Sequence, residues 1–373
     1  MTTPVLTRTV LTSPPAPTAQ PGRHRRQRKI VALLPAHNEA ESIATTLRAL
    51  AAQTRVPDQV IVICDNCTDA TAGIAAGHGA TVWPTSGNTR KKAGALNYAL
   101  QRVLPGLDDE DAVLVQDADS FLDPDFVAVT EGKLEEGYAA AGGNFRGREG
   151  GGLCGVFQRN EYARYARDTA RKQGRVLCIT GVGTLFRVSA LRAVAAAIAD
   201  GRLPDSGCGF AYSYATLTED NWMTLALKHL GLRFISPKGA TMSTEAMLTW
   251  ADLGRQRLRW KRGAFEDLLS FGLTRHTLKG WGLQFVSTLG VIATLVYVGT
   301  LLAVPWLGFH PHLWFLSITG VYSLERVITV RSRGVKVQLF SATVFPEWFY
   351  DLFLQAVQVR ALWGVVFRTS KSW

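Results

Sequence analysis

Cysteine is scarce in this sequence, and the number of cysteines is odd. The 373 residues include five cysteines. Residues 1–22 contain no apolar stretch of the kind that forms the core of a secretory signal. Because proteins held together by disulfides normally pair an even number of cysteines in an oxidising compartment, the sequence argues against a disulfide framework. We expect the main globular part of the chain to face a reducing cytoplasm.

Acidic residues are also in the minority. The chain has 41 lysines and arginines against 30 aspartates and glutamates, a net charge of +11. Such an excess suits nucleic acid or an anionic membrane surface. Much of it lies in RHRRQRK at residues 23–29, in residues 255–262 and around the hydrophobic C-terminal third. This distribution favours membrane lipid and phosphate groups as partners, and it predicts no nucleic-acid partner.

The sequence lacks a GxGxxG motif after its first predicted strand, which argues against a dinucleotide oxidoreductase. From Ile30 onward, apolar strands alternate with amphipathic helices. The predicted strands are IVALLP, QVIVICD, TVWP and AVLVQDAD, and the predicted helices are ESIATTLRALAAQ, TDATAGIAAGHG and KAGALNYALQRVL. This pattern predicts an α/β fold with a mostly parallel sheet covered on both faces. Ligands of such sheets bind at the carboxyl ends of strands, where Asp65 and Asp117 fall.

Long hydrophobic runs are confined to the C-terminal third. Residues 283–304 carry no charge, and as a helix they would cover about 33 Å, enough to cross a membrane. A second predicted span at about 312–330 is followed by RSRGVK, whose cations indicate the cytoplasmic side. Residues from about 339 to 367 predict a helix lying in the membrane interface, with a third span as the alternative.

These features together predict three regions. They are a disordered basic tail at 1–28, a catalytic domain at 29–270 and a membrane region at 271–373. We therefore expect a multi-pass protein of the cell membrane with its catalytic domain in the cytoplasm.

Two carboxylates end the fourth predicted strand in the triplet DAD. Asp117 and Asp119 stand one residue apart, so both can offer oxygen ligands to a divalent cation. Hard oxygen ligands suit Mg or Mn, and such a cation can bridge the phosphates of a nucleotide and act as a Lewis acid. The structural alternative is an aspartate turn that simply ends the strand.

Three further residues have side chains suited to a nucleotide or to proton transfer. Asp65, at the end of the second predicted strand, can accept hydrogen bonds from a nucleobase or ribose. Lys92 opens the third predicted helix, where cations and helix N–H groups can meet a phosphate. Asp220, in the triplet TED at the start of a helix, can take a proton from an acceptor, or it can simply stabilise the helix dipole.

A QxxRW box in the run RQRLRW precedes the first hydrophobic span. Arg259 offers a bidentate fork for a diphosphate, Trp260 a flat face for a sugar ring, and Gln256 hydrogen bonds to hydroxyl groups. An ordinary amphipathic helix also contains such residues, so the box gains weight from its position after TED and before the membrane region.

With these motifs the chain resembles glycosyltransferase family 2, and in particular its membrane-bound branch of cellulose, chitin, hyaluronan and poly-N-acetylglucosamine synthases. The resemblance runs from about Ile30 to Trp260. It is carried by PAHNEAESI, VICDNCTDAT, KKAGALN, QDADS, GGNFR, GVGTLFR, TED and QRLRW. The loop DNCTDAT departs from the family's commoner DDGSTD and places Asn66 where a second acidic residue stands.

The resemblance implies a GT-A fold and a role in polysaccharide biosynthesis. It implies a UDP-sugar donor, with UDP-N-acetylglucosamine favoured and UDP-glucose as an option, and transfer with inversion to a glycan or lipid-linked acceptor. A processive reaction and a secretion partner protein remain open. The implied site residues are Pro35, Ala36, Glu39, Asp65, Lys92 and Asp117 for the donor; Asp119 for the metal; Asp220 as the base; and Glu219, Gln256, Arg259 and Trp260 for the acceptor and diphosphate.

Two other functions remain open. A nucleotidyltransferase would use the same strand-end aspartates, but it would release pyrophosphate and have no use for the QxxRW box. A non-catalytic membrane scaffold would tolerate the loss of Asp220.

Overall fold

The computed structural model of the chain describes residues 26–204, 209–307, 313–343 and 345–369. Nearly all of the predicted N-terminal tail lies outside the described residues. So do residues 308–312, at the junction of the two predicted membrane spans.

The strands of the described residues fall into two sheets. In chain order they are β1 (Ile30–Ala36), β2 (Gln59–Asp65), β3 (Thr81–Thr85), β4 (Ala112–Gln116), β5 (Phe121–Leu122), β6 (Ala140–Gly142), β7 (Asn144–Gly147), β8 (Gly183–Arg187), β9 (Phe234–Ile235) and β10 (Thr241–Thr244). The main sheet has the order β3-β2-β1-β4-β8-β6-β9, and the small sheet has the order β5-β10-β7.

The main sheet is parallel except at β8, which runs antiparallel to both of its neighbours. The predicted mostly parallel sheet is therefore confirmed. Since β1, β2 and β4 run in one direction, their carboxyl ends lie at one edge of the sheet, and this edge carries Ala36, Asp65 and Asp117. Because β8 runs the other way, it is the residues before this strand that reach the same edge.

The helices lie on both faces of the main sheet and continue into the C-terminal region. They are α1 (Ile43–Ala51), α2 (Thr71–Gly77), α3 (Lys91–Val103), α4 (Phe126–Glu135), α5 (Gly152–Arg171), α6 (Val188–Ala199), α7 (Glu219–His229), α8 (Trp250–Phe271), α9 (Leu278–Leu307), α10 (Leu313–Thr329), α11 (Val335–Ala342) and α12 (Phe345–Val366).

The core is divided by the sheet into two layers. Alternate strand residues point to opposite faces, so Leu33 packs with Leu96 of α3, whereas Leu34 packs with Ile43 and Leu47 of α1. All five side chains are nearly or fully buried, and each such burial stabilises the fold by about 1.5–3 kcal/mol. Strands covered on both faces need continuous apolar runs, which is why β1 and β2 were recognisable in the sequence.

One helix among the described residues is long and apolar enough to cross a membrane, over Leu278–Thr300. It overlaps the predicted first span at 283–304. Its side chains are largely exposed, among them Phe285 and Leu295. α10 has 17 residues, shorter than a typical spanning helix, and the second span stays a prediction.

α12 packs with one face against α5. Tyr350 is fully buried and stacks on Phe157 of α5 with ring centroids 5.0 Å apart. Glu347 is also fully buried, where it accepts a hydrogen bond of 2.8 Å from Asn160 Nδ2 and pairs with Arg164 at 3.1 Å. Other side chains of α12, such as Trp363, are exposed and apolar.

Candidate active site

Lys92 joins the two acidic motifs that the sequence places more than a hundred residues apart. Its Nζ atom lies 2.5 Å from Oδ1 of Asp117 and 2.9 Å from Oε1 of Glu219. The same amine donates a hydrogen bond of 3.0 Å to the carbonyl oxygen of Gly181. The start of α3, the end of β4, the segment before β8 and the start of α7 therefore meet at one point.

The local fold explains how Asp220 comes to this point. Asp220 Oδ2 accepts a hydrogen bond of 3.1 Å from the backbone N–H of Gly181, just before β8. A Cβ atom at residue 181 would lie 3.1 Å from Cβ of Asp220, a crowded contact that Gly181 avoids. The other oxygen, Oδ1, accepts 2.8 Å from the N–H of Asn221 in the first turn of α7.

The two carboxyl groups of TED acquire opposite pKa shifts. Burial and the negative charge of Glu219 raise the pKa of Asp220 to about 6, although the Lys92 ammonium acts in the other direction. Burial also opposes the charge of Glu219, yet Lys92 holds the pKa of Glu219 below its usual value. Adjacent carboxyls with divergent pKa values are typical of acid and base pairs in active sites. Glu219 is therefore the fixed anion, and Asp220 is the group that can exchange a proton near neutral pH.

Lys92 stays charged in this environment. Burial disfavours its ammonium form, but Asp117 and Glu219 outweigh that effect and raise the pKa of Lys92 above its usual range. A permanent cation beside the strand-end aspartate is suited to a phosphate group.

Four carboxylates influence one another at the DAD turn. Burial raises the pKa values of Asp117 and Asp119, and neighbouring negative charges add to both shifts. The pKa of Glu39 is raised by burial and by Asp119 and Glu245. Among the described residues, no three acidic, histidine or cysteine side chains stand close enough to form a ready metal site. The oxygen donors of Asp117 and Asp119 nevertheless fit a hard divalent cation, whose charge would relieve their repulsion.

Glu245 did not stand out in the sequence. It follows β10 in the loop before α8 and belongs to no motif. The residue next to it, Thr244, is linked to the DAD turn by a hydrogen bond of 3.3 Å from Ser120 Oγ. Only this pairing between distant segments brings Glu245 to the turn, so no local pattern could have indicated it.

Asp65 lies at the same edge of the sheet, and hydrogen bonds to one of its carboxylate oxygens fix its side chain. Its Oδ1 atom accepts 2.6 Å from Thr85 Oγ1 and 2.8 Å from Asn88 Nδ2. Pro35 and Ala36 end the adjacent strand β1 and pair in register with the two residues before Asp65. The predicted donor residues therefore share one edge, and their individual roles stay predictions.

The QxxRW box lies in the first half of α8. Arg259 is exposed and makes no hydrogen bond or ion pair within the described residues, and its charge helps to lower the pKa of Glu219. Gln256 Oε1 accepts 2.7 Å from Arg257 Nη1. The Arg257 guanidinium also lies 4.2 Å from the ring centroid of Trp260, so one face of this ring is already covered.

Arg257 is a residue that the motif did not indicate. It is nearly fully buried and pairs with Glu161 of α5 at 3.0 Å. Its contact with Trp260 fixes the orientation of the indole by a cation–π interaction. The motif did not indicate Arg257, although this residue contacts both Gln256 and Trp260.

The sheet order, the strand-end aspartates and the TED and QxxRW motifs are those of a GT-A glycosyltransferase. The chain belongs to the glycosyltransferase-like family 2, whose profile matches residues 27–263. The predicted family is thereby confirmed.

Relatives within this family include poly-β-1,6-N-acetyl-D-glucosamine synthases. The protein of Staphylococcus aureus strain COL is 28% identical over 284 residues, which cover 72% of this chain and 64% of the relative. The protein of Staphylococcus epidermidis is 28% identical over 255 residues, covering 66% of this chain and 57% of the relative. The chain thus matches less than two thirds of the length of these relatives.

Among solved structures, the chain is similar to the mannosyltransferase PcManGT from Pyrobaculum calidifontis in complex with GDP-Man and Mn²⁺. The TM-score is 0.57 at 16% sequence identity, and the match covers 91% of this chain and 88% of the other. A similarity at this identity shows the fold alone.

Proposed function

We propose that this chain is a membrane-bound inverting glycosyltransferase. It moves a sugar from a UDP-sugar to a hydroxyl group of a glycan or lipid-linked acceptor and forms a β linkage. UDP-N-acetylglucosamine is the favoured donor, because the similar staphylococcal proteins are poly-β-1,6-N-acetyl-D-glucosamine synthases. UDP-glucose is the second donor to test.

The observation that carries this proposal is the bridge formed by Lys92. It holds Asp117, the strand-end aspartate, and Glu219, the neighbour of the proposed base, on one ammonium group. A donor diphosphate at the strand end would therefore lie beside Asp220. A reaction at the donor's anomeric carbon needs this proximity of leaving group and base.

The reaction step is a single displacement. The acceptor oxygen forms a bond to the anomeric carbon while the bond from that carbon to the diphosphate oxygen breaks, and the electron pair leaves with UDP. The proton of the acceptor hydroxyl passes to the carboxylate of Asp220. With a pKa of about 6, Asp220 is mostly ionised at neutral pH and still basic enough for this transfer. Attack opposite the leaving group inverts the anomeric configuration.

Cationic groups would stabilise the departing diphosphate. Lys92 supplies a permanent positive charge, and Arg259 supplies an exposed fork suited to two phosphate oxygens. Asp117 and Asp119 would hold Mg or Mn, which when bound neutralises charge on the leaving group. Trp260, with one face covered by Arg257, offers its other face to an acceptor sugar ring.

The exposed apolar side chains of α9 and α12 support attachment to the cell membrane. α9 is long enough to cross the membrane, and the exposed face of α12 is suited to the lipid interface. The proposed topology is multi-pass with the catalytic part in the cytoplasm. The acceptor would then be extended at the membrane surface, with a secretion partner protein as a further option.

The test is nucleotide release by the detergent-purified full chain. UDP-N-acetylglucosamine, UDP-glucose and GDP-mannose are supplied with Mg or Mn, and the wild type is compared with Asp220→Asn. We expect UDP release from one UDP-sugar that requires the metal and is lost in Asp220→Asn. Asp200→Asn, an exposed aspartate that pairs with Arg202 after α6, is the matched control and should retain full activity.

Other outcomes distinguish the alternatives. Release of pyrophosphate would favour the nucleotidyltransferase. Equal turnover by the wild type and Asp220→Asn would remove Asp220 as the base.

A further inference from the structure

Asp267 is a buried carboxylate that lies outside every motif of the sequence. It is 2% exposed and lies in the last part of α8. It accepts hydrogen bonds of 2.6 Å from Thr216 Oγ1, 2.9 Å from Thr218 Oγ1 and 2.8 Å from Asn221 Nδ2. All three donors come from the short segment 216–221, which contains both carboxylates of TED.

A second contact joins α8 to this segment. A Cβ atom at Gly263 would lie 2.5 Å from Thr218 Oγ1 and 2.7 Å from Thr218 Cγ2. Only a glycine therefore lets the helix approach Thr218 this closely. Gly263 is one turn before Asp267, so segment 216–221 is held against α8 at two successive turns.

The spacing along α8 places these contacts on the same face as the QxxRW box. Gln256, Trp260, Gly263 and Asp267 are separated by four, three and four residues. Residues at such intervals lie on one side of an α-helix. The helix face that carries the proposed acceptor residues is thus the face that is docked onto the residues around Asp220.

Burying a carboxylate costs more free energy than burying an apolar side chain of similar size. Asp267 forms no ion pair within the described residues, and a buried charge without a cation is unfavourable. Burial accordingly raises the pKa of Asp267 to about 7. An apolar side chain would fill the same space at lower cost, but it could not fix three polar groups in defined directions.

We propose that Asp267 is a positioning residue that, together with Gly263, sets the distance between the base Asp220 and the acceptor box on α8. It touches neither donor nor acceptor and acts through Thr216, Thr218 and Asn221. This inference rests on the proposed function. It predicts that Asp267 matters for attack by a sugar acceptor, which needs both the base and the box, and much less for attack by water, which does not need the box.

The experiment compares Asp267→Ala and Asp267→Asn with the wild type in the detergent-purified full chain. Three quantities are measured: kcat for transfer to acceptor, KM for the UDP-sugar, and the rate of donor hydrolysis without acceptor. We expect Asp267→Ala to lower kcat for transfer about 100-fold, the typical effect of a displacement of about 1 Å. Donor KM should stay within about three-fold, since Asp267 contacts neither Lys92 nor Asp117, and hydrolysis should fall much less than transfer, since it does not need the box.

Two variants sharpen this comparison. Asp267→Asn should recover part of the transfer rate, because its amide oxygen can still accept from a threonine hydroxyl. The matched control is Asp252→Asn, also on α8, whose carboxylate accepts 2.6 Å from Thr249 at the exposed start of the helix. It should keep the wild-type ratio of transfer to hydrolysis. If transfer and hydrolysis fall in parallel in Asp267→Ala, the residue is merely structural and the inference is wrong.

A measurement that needs no turnover separates this inference from the proposed function. Hydrogen–deuterium exchange of residues 216–221 should be at least about ten-fold faster in Asp267→Ala than in the wild type, because their docking onto α8 is loosened. Exchange in α1 should be unchanged. If segment 216–221 exchanges at the wild-type rate, the docking role is refuted, whatever the donor assays show. Faster exchange in a chain that is inactive towards every donor would instead reject the proposed function alone.

Discussion

Glu219 and Asp220 are neighbours in the chain, yet they differ in their surroundings. Lys92 forms an ion pair with Glu219, whereas Asp220 receives backbone N–H groups and the repulsion of its neighbour. The side chain that touches the ammonium is thereby kept ionised. The other, the proposed base, has a pKa raised to about 6, so it is ionised at neutral pH and can still accept a proton.

The pH dependence of the reaction should report this difference. Since Asp220 must be ionised to accept a proton, and its pKa is about 6, kcat/KM should fall as the pH is lowered through 6. The measurement is the initial rate of UDP release at low donor concentration across this range. A rate that stays constant well below this pH would assign the base to another group.

Replacing Lys92 by methionine should affect both rate and pH profile. The ammonium lowers the pKa of Asp220, so in Lys92→Met the acidic limb of the profile should move to higher pH. The rate should fall about 100-fold or more, because Asp117 and Glu219 lose their shared cation. Lys238→Met, at an exposed position, is the control. A lower rate with an unmoved limb would show that Lys92 has no electrostatic effect on the base.

At the scale of elements, the site is assembled by close approaches at glycine. Gly181 brings the segment before β8 against Asp220, and Gly263 brings α8 against Thr218. A side chain at either position would have to displace the residue that it meets. Such positions tolerate little change, although neither residue takes part in chemistry.

Gly181→Ala tests this directly. The added Cβ would lie 3.3 Å from Oδ2 of Asp220 and should displace the carboxylate, so kcat should fall at least about ten-fold with little loss of thermal stability. Gly73→Ala in α2 is the matched control, because its Cβ would meet no atom within 4 Å. That change should leave kcat intact and stabilise the helix by about 0.5–1 kcal/mol. Unaltered activity in Gly181→Ala would show that Asp220 tolerates displacement.

The elements that could be predicted from the sequence are those with a strong local signal. β1 to β4 and α1 to α3 are marked by apolar runs and by helical periodicity, and each was found where it was expected. The reversed direction of β8 could not be predicted, because strand direction depends on distant pairing. The sequence did not indicate Asp267 or Glu245 for the same reason, because the residues that they contact are remote in sequence. The motifs indicated the residues that meet around Lys92, but not the residues that hold this group in place.

At the scale of the whole molecule, the C-terminal helices are not simply appended to the catalytic part. Tyr350 and Glu347 of α12 are fully buried against α5, and Lys261 of α8 donates 2.8 Å to Gln358 of α12. α12 therefore packs against both helices while it exposes apolar side chains on another face. The sequence suggested an interfacial helix, but its charged residues Glu347, Asp351 and Arg360 did not reveal which face is docked.

Glu347→Ala should destabilise the whole catalytic part. It would leave Arg164 and Asn160 without their buried partner, and breaking such a pair typically costs about 3–5 kcal/mol. The measurement is the melting temperature in detergent. Glu136→Ala, which removes an exposed ion pair with Lys133, should change stability by less than about 1 kcal/mol. Equal melting temperatures for both variants would mean that α12 is not part of the cooperative unit.

The reversed direction of β8 has a consequence for variation among related enzymes. Gly183 at its start pairs with Gln116 at the active edge, whereas Arg187 at its end pairs with Ala112 at the opposite edge. Insertions or exchanges in the linker between α5 and β8 would therefore act at the edge where Gly181 contacts Lys92 and Asp220. For an engineer who wishes to alter the proposed sugar preference, residues 172–180 are the stretch to randomise, with Gly181 kept.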